Sequence, residues 1–273
     1  MRGKSVSILG CGYIGLPVAK ALIQRGWRVR GSTTSSEKLS MLLAMGIEPF
    51  RIRLTPDLEG AGLVDFFDSE VLLLNFPPGR KRPDVEAFME RAMDGLLAAI
   101  QDGRVCFVVF ASSTSVYSSG TVREEDAGRP PPDTASGRAL LAAEMALRQL
   151  STIQTTVLRY GGLYGYERKP GLFLTGGIVQ GGTRPVNLVH RDDAVDVTVR
   201  VIAQNVCGEV FNVCADKHPT RAAFYVQAAK WLGRSAPTFG PDYSLPAKIV
   251  LNGKLRRTLP YTFRHPDPMR RAP

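Results

Sequence analysis

Gly10, Gly12 and Gly15 stand in the spacing Gly-x-Gly-x-x-Gly, directly after the apolar run at residues 5–9 and at the head of a helix-like stretch. Glycines so spaced do phosphate chemistry. The first allows a tight turn, the second lets a pyrophosphate approach the backbone, and the third lets the helix pack closely on its strand. The helix N-terminus adds free N–H groups and a partial positive charge. The predicted dinucleotide contacts are Gly10, Cys11, Gly12, Tyr13, Ile14 and Gly15.

A second diagnostic lies about 20 residues further on, where an acid would hydrogen-bond the ribose 2′-hydroxyl of NAD. Here the chain reads Arg30-Gly31-Ser32-Thr33-Thr34-Ser35-Ser36, with no acid before Glu37. The hydroxyls of Ser32, Thr33 and Thr34, together with Arg30 and Lys38, suit a 2′-phosphate because each can donate to it. NADP is therefore expected ahead of NAD. The same hydroxyls could instead cap the helix that follows. Asn75-Phe76-Pro77-Pro78-Gly79 ends another apolar run, where open α/β sheets place cofactor contacts, so Asn75, Phe76 and Pro77 join the expected groove.

Composition limits the alternatives. The 273 residues are 44% hydrophobic and 22% charged, which favours a folded globular chain over a disordered or membrane-embedded one. The basic start at Met1-Arg2-Gly3-Lys4 leads into too short an apolar run for a signal peptide, so a cytoplasmic location is expected. Cys11, Cys106, Cys207 and Cys214 form no CxxC pair and have no histidines at ligand spacing. They are expected to be reduced thiols, three of them buried in strands, and no metal site is expected. The net charge of +10 is scattered, with clusters only at Arg80-Lys81-Arg82, Arg256-Arg257 and Arg270-Arg271. No aromatic residues interleave these clusters, so specific nucleic-acid binding is not expected, and anionic small molecules explain the excess equally well.

These groups need a scaffold, and the hydrophobic pattern supplies one. Strand-like runs at 5–9, 28–32, 47–52, 70–75, 105–112 and 155–160 alternate with helix-like stretches at 13–25, 36–45, 84–100 and 135–149. That alternation predicts an α/β fold, a Rossmann doubly wound parallel sheet. After residue 160 the pattern loosens, with a helix at 191–204, a strand at 209–213 and a helix at 220–232. The expected organisation is an NAD(P)-binding domain over 1–160 and a smaller C-terminal substrate lobe over 161–273, interleaved with the core through helix 191–204.

Three further segments resemble the extended short-chain dehydrogenase/reductase (NAD(P)-dependent epimerase/dehydratase) superfamily. Phe110-Ala111-Ser112-Ser113-Thr114-Ser115-Val116-Tyr117 is similar to its SSxxVYG segment. Leu158-Arg159-Tyr160-Gly161-Gly162-Leu163-Tyr164-Gly165 is similar to LRxxxxYG, and Val189-His190-Arg191-Asp192-Asp193 to VHVDD. The resemblance implies an oxidoreductase or epimerase acting on a hydroxylated small metabolite such as a nucleotide sugar, and it brings the expectation of a homodimer. It also places Ser112 beside the cofactor and Ser113 at the family's catalytic Ser or Thr. The family's Tyr-x-x-x-Lys pair is replaced here, because Ser136 falls where the Tyr belongs and Leu140 where the Lys belongs. Neither side chain can run the usual proton relay. The candidate catalytic residues are thus Ser113, Tyr117 and Ser136, with Tyr160, Tyr164 and His190 as candidate substrate contacts. A cofactor-binding sensor or scaffold without turnover is the alternative reading. The loop also resembles that of nucleotide-sugar dehydrogenases, but those chains are much longer and use a late catalytic Cys that is missing here.

Overall fold

The computed structural model describes residues 4–55, 57–77, 79, 82–174, 178–240 and 247–271. The first half runs β1 (Ser5–Leu9), α1 (Gly15–Ile23), β2 (Arg28–Thr33), α2 (Lys38–Ala44), β3 (Glu48–Leu54), β4 (Leu58–Gly60), α3 (Leu63–Phe67), β5 (Val71–Leu74), α4 (Val85–Asp102) and β6 (Phe107–Ser113). There follow β7 (Gly120–Val122), α5 (Ala135–Arg148), β8 (Gln154–Tyr160), β9 (Gly162–Tyr164), β10 (Ile178–Val179) and β11 (Leu188–His190). The chain finishes with α6 (Arg191–Ala203), β12 (Val210–Val213), α7 (Arg221–Trp231), β13 (Thr238–Phe239), β14 (Lys248–Val250) and α8 (Gly253–Thr258).

Eight strands form one sheet in the order β12-β8-β6-β5-β1-β2-β3-β4. All of its pairings are parallel except β3 with β4. Side chains alternate across a strand, so consecutive apolar residues feed two separate layers. Val71, Leu73, Phe107 and Val109 pack with Val18 and Leu22 of α1 and Val197 and Ile202 of α6. Leu72, Leu74, Val108 and Phe110 pack with Met89 and Leu96 of α4 and Leu140 and Leu147 of α5. A sheet covered on both faces is the doubly wound fold expected from the alternation. The strand order reverses between β1 and β5, which opens a crevice at their C-terminal ends.

The observed elements fall within a few residues of the expected ones. The first helix begins at Gly15 rather than 13 because Gly12, Tyr13 and Ile14 belong to the turn that precedes it. The sequence pattern missed β4, α3 and the short parallel ladders β9–β11, β7–β14 and β10–β13. Ladders of two or three residues are too short to show a period. The cysteine expectation also needs correction. Cys11 and Cys214 are buried, Cys106 is exposed and Cys207 is half-buried, and none of the four lies within a strand.

One buried charge pair joins the sheet to α5. Arg159 on β8 and Glu144 on α5 are both nearly inaccessible, and the guanidinium Nη2 lies 2.6 Å from the carboxylate while Nε donates to both carboxylate oxygens at 3.1 Å. Arg159 Nη1 also donates to the Glu124 carbonyl and the Tyr117 hydroxyl, each at 2.7 Å. Ser112 donates to Glu144 at 2.5 Å. Breaking a buried pair strands the surviving charge, at a cost of about 3–5 kcal/mol. Glu144→Ala should lower the unfolding free energy by about that amount, measured by chemical denaturation. The Glu144→Leu, Arg159→Met double variant should lose less than the sum of its single changes.

Candidate functional site

The phosphate loop shows why each glycine is required. Gly10 has φ 105°, and a Cβ there would lie 2.2 Å from the Asn75 carbonyl oxygen. A Cβ on Gly15 would lie 2.2 Å from the Gly10 carbonyl oxygen. Gly12 differs from both. A Cβ built on it meets nothing within 4 Å, because the residue faces open space. Its neighbours hold the loop: Gly10 N–H donates to Ser32 Oγ at 2.9 Å, Asn75 Nδ2 donates to the Gly10 carbonyl at 2.9 Å, and Cys11 N–H donates to the Ser32 carbonyl at 2.8 Å. The N-cap of α1, Ile14, provides no side-chain cap, and the first turn carries no acid. An uncapped helix start behind an open glycine fits a dinucleotide pyrophosphate.

The end of β2 departs from the expected arrangement in one respect. Arg30 is buried and turned away from the loop, donating to the carbonyl of Asp68 and to Ser69 Oγ, with its Nε 3.3 Å from Glu48. It cannot also reach a 2′-phosphate. Ser32 is spent on supporting Gly10, and Thr33 Oγ1 accepts from Ser35 N–H at 3.2 Å. Thr34 and Lys38 are exposed. None of these hydroxyls caps α2, whose N-cap is Glu37 without a side-chain bond.

From Gly12, Tyr13 and Ile14 a cleft of about 1130 Å³ runs past Asn75, Phe76 and Pro77 and the end of β6 to Tyr164, Phe224 and Lys248. Ser112 and Ser113 line it. Ser112 Oγ is committed to Glu144, whereas Ser113 Oγ accepts from Ser115 N–H at 3.2 Å and is half-exposed. Two hydroxyls in the cleft wall, Ser115 Oγ and Tyr164 Oη, are buried and have no hydrogen-bond partner among the described residues. Burial raises the Tyr164 pKa, so its phenol stays protonated and can donate.

The structure brings to the cleft residues that pattern reasoning missed. Lys248 of β14 donates to the carbonyls of Thr114 at 3.0 Å and Tyr117 at 2.7 Å, and burial pulls its pKa below the usual lysine value. Arg168 lines the cleft with its guanidinium 4.2 Å from the Tyr13 ring centre, while Tyr13 Oη donates to the Gly165 carbonyl at 2.8 Å. No sequence signal marked either cation, because Lys248 lies in a three-residue ladder and Arg168 in the loop that follows another.

Several candidates lie elsewhere than expected. Tyr117 is 1% exposed and donates to Asn212 Oδ1 at 2.6 Å while accepting from Arg159, and burial pushes its pKa up to about 12. It belongs to the buried charge network and is no acid or base at the cleft. Tyr160 reaches the cleft wall, yet its hydroxyl lies 2.5 Å from Thr198 on α6, on the helix side of the sheet. His190 is fully buried, with its ring against Tyr164, Tyr166 and His265, and so does not line the cleft. Ser136 sits in the first turn of α5 beside Thr134, 3.4 Å from its hydroxyl, outside the cleft lining. Leu140 does line the cleft. Arg82, the described member of the basic cluster, pairs with Asp84 and stacks on Phe88; Arg80, Lys81 and Pro78 fall outside the described residues.

Residues 6–214 match the NAD dependent epimerase/dehydratase family. The chain belongs to that family. It is 33% identical over 271 residues to Protein YeeZ of Escherichia coli K12, covering 97% of this chain and 98% of that protein. Among solved structures it is similar to MoeE5 in complex with UDP-glucose and NAD, with a TM-score of 0.76 and 23% identity over 95% of this chain and 93% of that one. UDP-glucuronic acid 4-epimerase from Bacillus cereus in complex with NAD gives a TM-score of 0.75 and 20% identity, covering 95% and 94% of the two chains. At that identity these structures establish the fold. Among the described residues no helix is long and apolar enough to cross a membrane.

The glycine geometry separates binding from folding. Gly12→Val should abolish binding of NAD(P) in a fluorescence titration while leaving the thermal midpoint near wild type, since its Cβ meets no protein atom. Gly15→Ala should lower the thermal midpoint as well, because its Cβ collides with the backbone of Gly10.

Proposed function

We propose that the protein is an NADP-dependent oxidoreductase or epimerase-like enzyme acting on a hydroxylated small metabolite such as a nucleotide sugar, with Ser113 and Lys248 in place of the usual Tyr-x-x-x-Lys pair. The observation that carries this reading is the pair of unpartnered hydroxyls, Ser115 and Tyr164, buried in the cleft wall beyond the phosphate loop. Buried polar groups are normally satisfied, and a polyhydroxylated ligand would satisfy both. The nucleotide-sugar class draws on the UDP-glucose bound to the similar MoeE5. The NADP preference rests on Thr33, Thr34 and Lys38 and on the absence of an acid before Glu37, since Arg30 is bonded to Asp68 and Ser69. We read residues 161–273 as the lobe that covers the substrate end.

A bound nicotinamide dinucleotide supplies hydride transfer, and the residues of the chain supply binding and the proton. Gly12 and the start of α1 hold the pyrophosphate, with Arg168 as a nearby cation. Ser113 hydrogen-bonds the reacting oxygen of the substrate. Lys248, anchored by two of its three N–H groups on the Thr114 and Tyr117 carbonyls, has the third to exchange with that oxygen.

The sensor reading is favoured by one feature, the apolar Leu140 in the cleft wall where the resembled family has a lysine. Incubation with NADPH and a panel of keto and hydroxylated sugar nucleotides separates the two. Oxidation of NADPH by any of them supports the enzyme; tight NADPH binding without oxidation across the panel supports the sensor. Equal affinities for NADP and NAD in parallel titrations would remove the cofactor preference.

With a reactive carbonyl substrate, Lys248→Met should cut kcat by about 10²–10⁴-fold, the range for loss of a general acid, and leave NADPH affinity unchanged. As a proton donor Lys248 must be charged, so the wild-type reduction rate should fall as pH rises through its lowered pKa. Lys248→Arg, which keeps the anchoring bonds but does not release a proton, should not restore the rate.

A further inference from the structure

His190, Asp192 and His265 present three ligand atoms within 4.8 Å of one another, away from the cleft lining. We propose that they bind a divalent transition-metal cation of the zinc class. His190 closes β11, and its Nδ1 accepts a long hydrogen bond from Asp192 N–H at 3.3 Å; a metal taking that lone pair would replace this bond. The same Nδ1 lies 3.6 Å from Asp192 Oδ2, and His265 Nε2 lies 3.7 Å from that oxygen on its other side. The two rings are 3.9 Å apart between centres. In a tetrahedral zinc site with metal–ligand distances of about 2.0–2.1 Å, neighbouring ligand atoms stand roughly 3.3–3.4 Å apart. The protein is thus within a few tenths of an ångström of that spacing along both the His190–Asp192 and the Asp192–His265 edges.

The surroundings hold the ligands in position. Tyr166 donates to Asp192 Oδ1 at 2.9 Å, the kind of outer contact that orients a ligating carboxylate. His265 is fixed through its backbone, since the buried Asp193 carboxylate accepts from Arg264 N–H at 2.6 Å, His265 N–H at 3.0 Å and Tyr261 Oη at 2.8 Å. Asp192 and His265 keep side-chain exposures of 27% and 22%, which leaves a side open for a water in the fourth position. Two imidazoles and one carboxylate suit zinc better than calcium or magnesium, which take oxygen ligands.

The start of α6 carries a partial positive charge that opposes a cation. Two features offset it. Asp192 and Asp193 lie in the first turn, and the neighbouring Arg191 is drawn off to Glu167 at 3.2 Å and over the Tyr166 ring at 3.6 Å. A bound cation would tie the start of α6 to the C-terminal segment and, through Tyr166, to the loop that carries Tyr164 and Arg168 into the cleft.

The test is zinc uptake by the full-length protein, treated first with a chelator and then dialysed against micromolar Zn²⁺, with Co²⁺ as the spectroscopic probe. The proposal expects one equivalent of metal and visible Co²⁺ ligand-field bands. His265→Gln and Asp192→Asn should each weaken binding about tenfold or more, while the metal-free variants unfold near the wild-type temperature. No uptake by the wild type overturns the site. Uptake that both variants retain at wild-type affinity overturns it too, since the metal would then be bound elsewhere.

Discussion

Arg159 places a permanent positive charge in the protein interior, and much of the site follows from the need to satisfy it. A guanidinium removed from water requires a carboxylate and a full set of acceptors. Glu144 supplies the first from α5, while the Tyr117 hydroxyl and the Glu124 carbonyl supply the rest. Tyr117 in turn binds Asn212 on β12, whose backbone N–H donates to Glu124 at 2.9 Å. Three separate stretches of chain, at Tyr117, Glu124 and Glu144, are thereby locked to the C-terminal ends of β8 and β12. Ser113, at the end of β6, and Ser115, in the turn after it, lie between Ser112, which donates to Glu144, and Tyr117.

The opposite end of the cleft is governed by close backbone approach. Gly10 and Gly15 are required by the protein's own atoms, because a Cβ on either would collide with neighbouring backbone. Gly12 is required by no protein atom. The difference divides the loop into residues that make the turn and one that leaves room for a ligand. The two ends of the cleft are built from different contacts.

The later loops connect these ends. Arg168 stacks on Tyr13 of the phosphate loop, Tyr164 lies in the cleft, and His190 packs against both Tyr164 and the C-terminal His265. The short ladders β9–β11 and β7–β14 place these segments over the sheet edge. Their backbone hydrogen bonds are few, and the stacked aromatic and cationic side chains add to them.

The sequence by itself determined most strands of the sheet, most of its helices and the phosphate loop, because those depend on local periodicity and on glycine spacing that can be read along the chain. Tertiary structure decided the rest. Tyr117, Tyr160, Tyr164 and His190 are all polar aromatics near the expected cleft, yet of the three tyrosines only Tyr164, in the cleft wall, keeps a hydroxyl without a partner among the described residues, since the direction of a side chain depends on its packing partners. Arg30 looked suited to a phosphate and turned instead to Asp68 and Glu48 across the sheet. Lys248 carried no motif, and its placement depends on a three-residue ladder formed with a segment more than a hundred residues away. Contacts between distant parts of a chain leave no periodic trace, and in this protein they decide which functional groups meet the ligand.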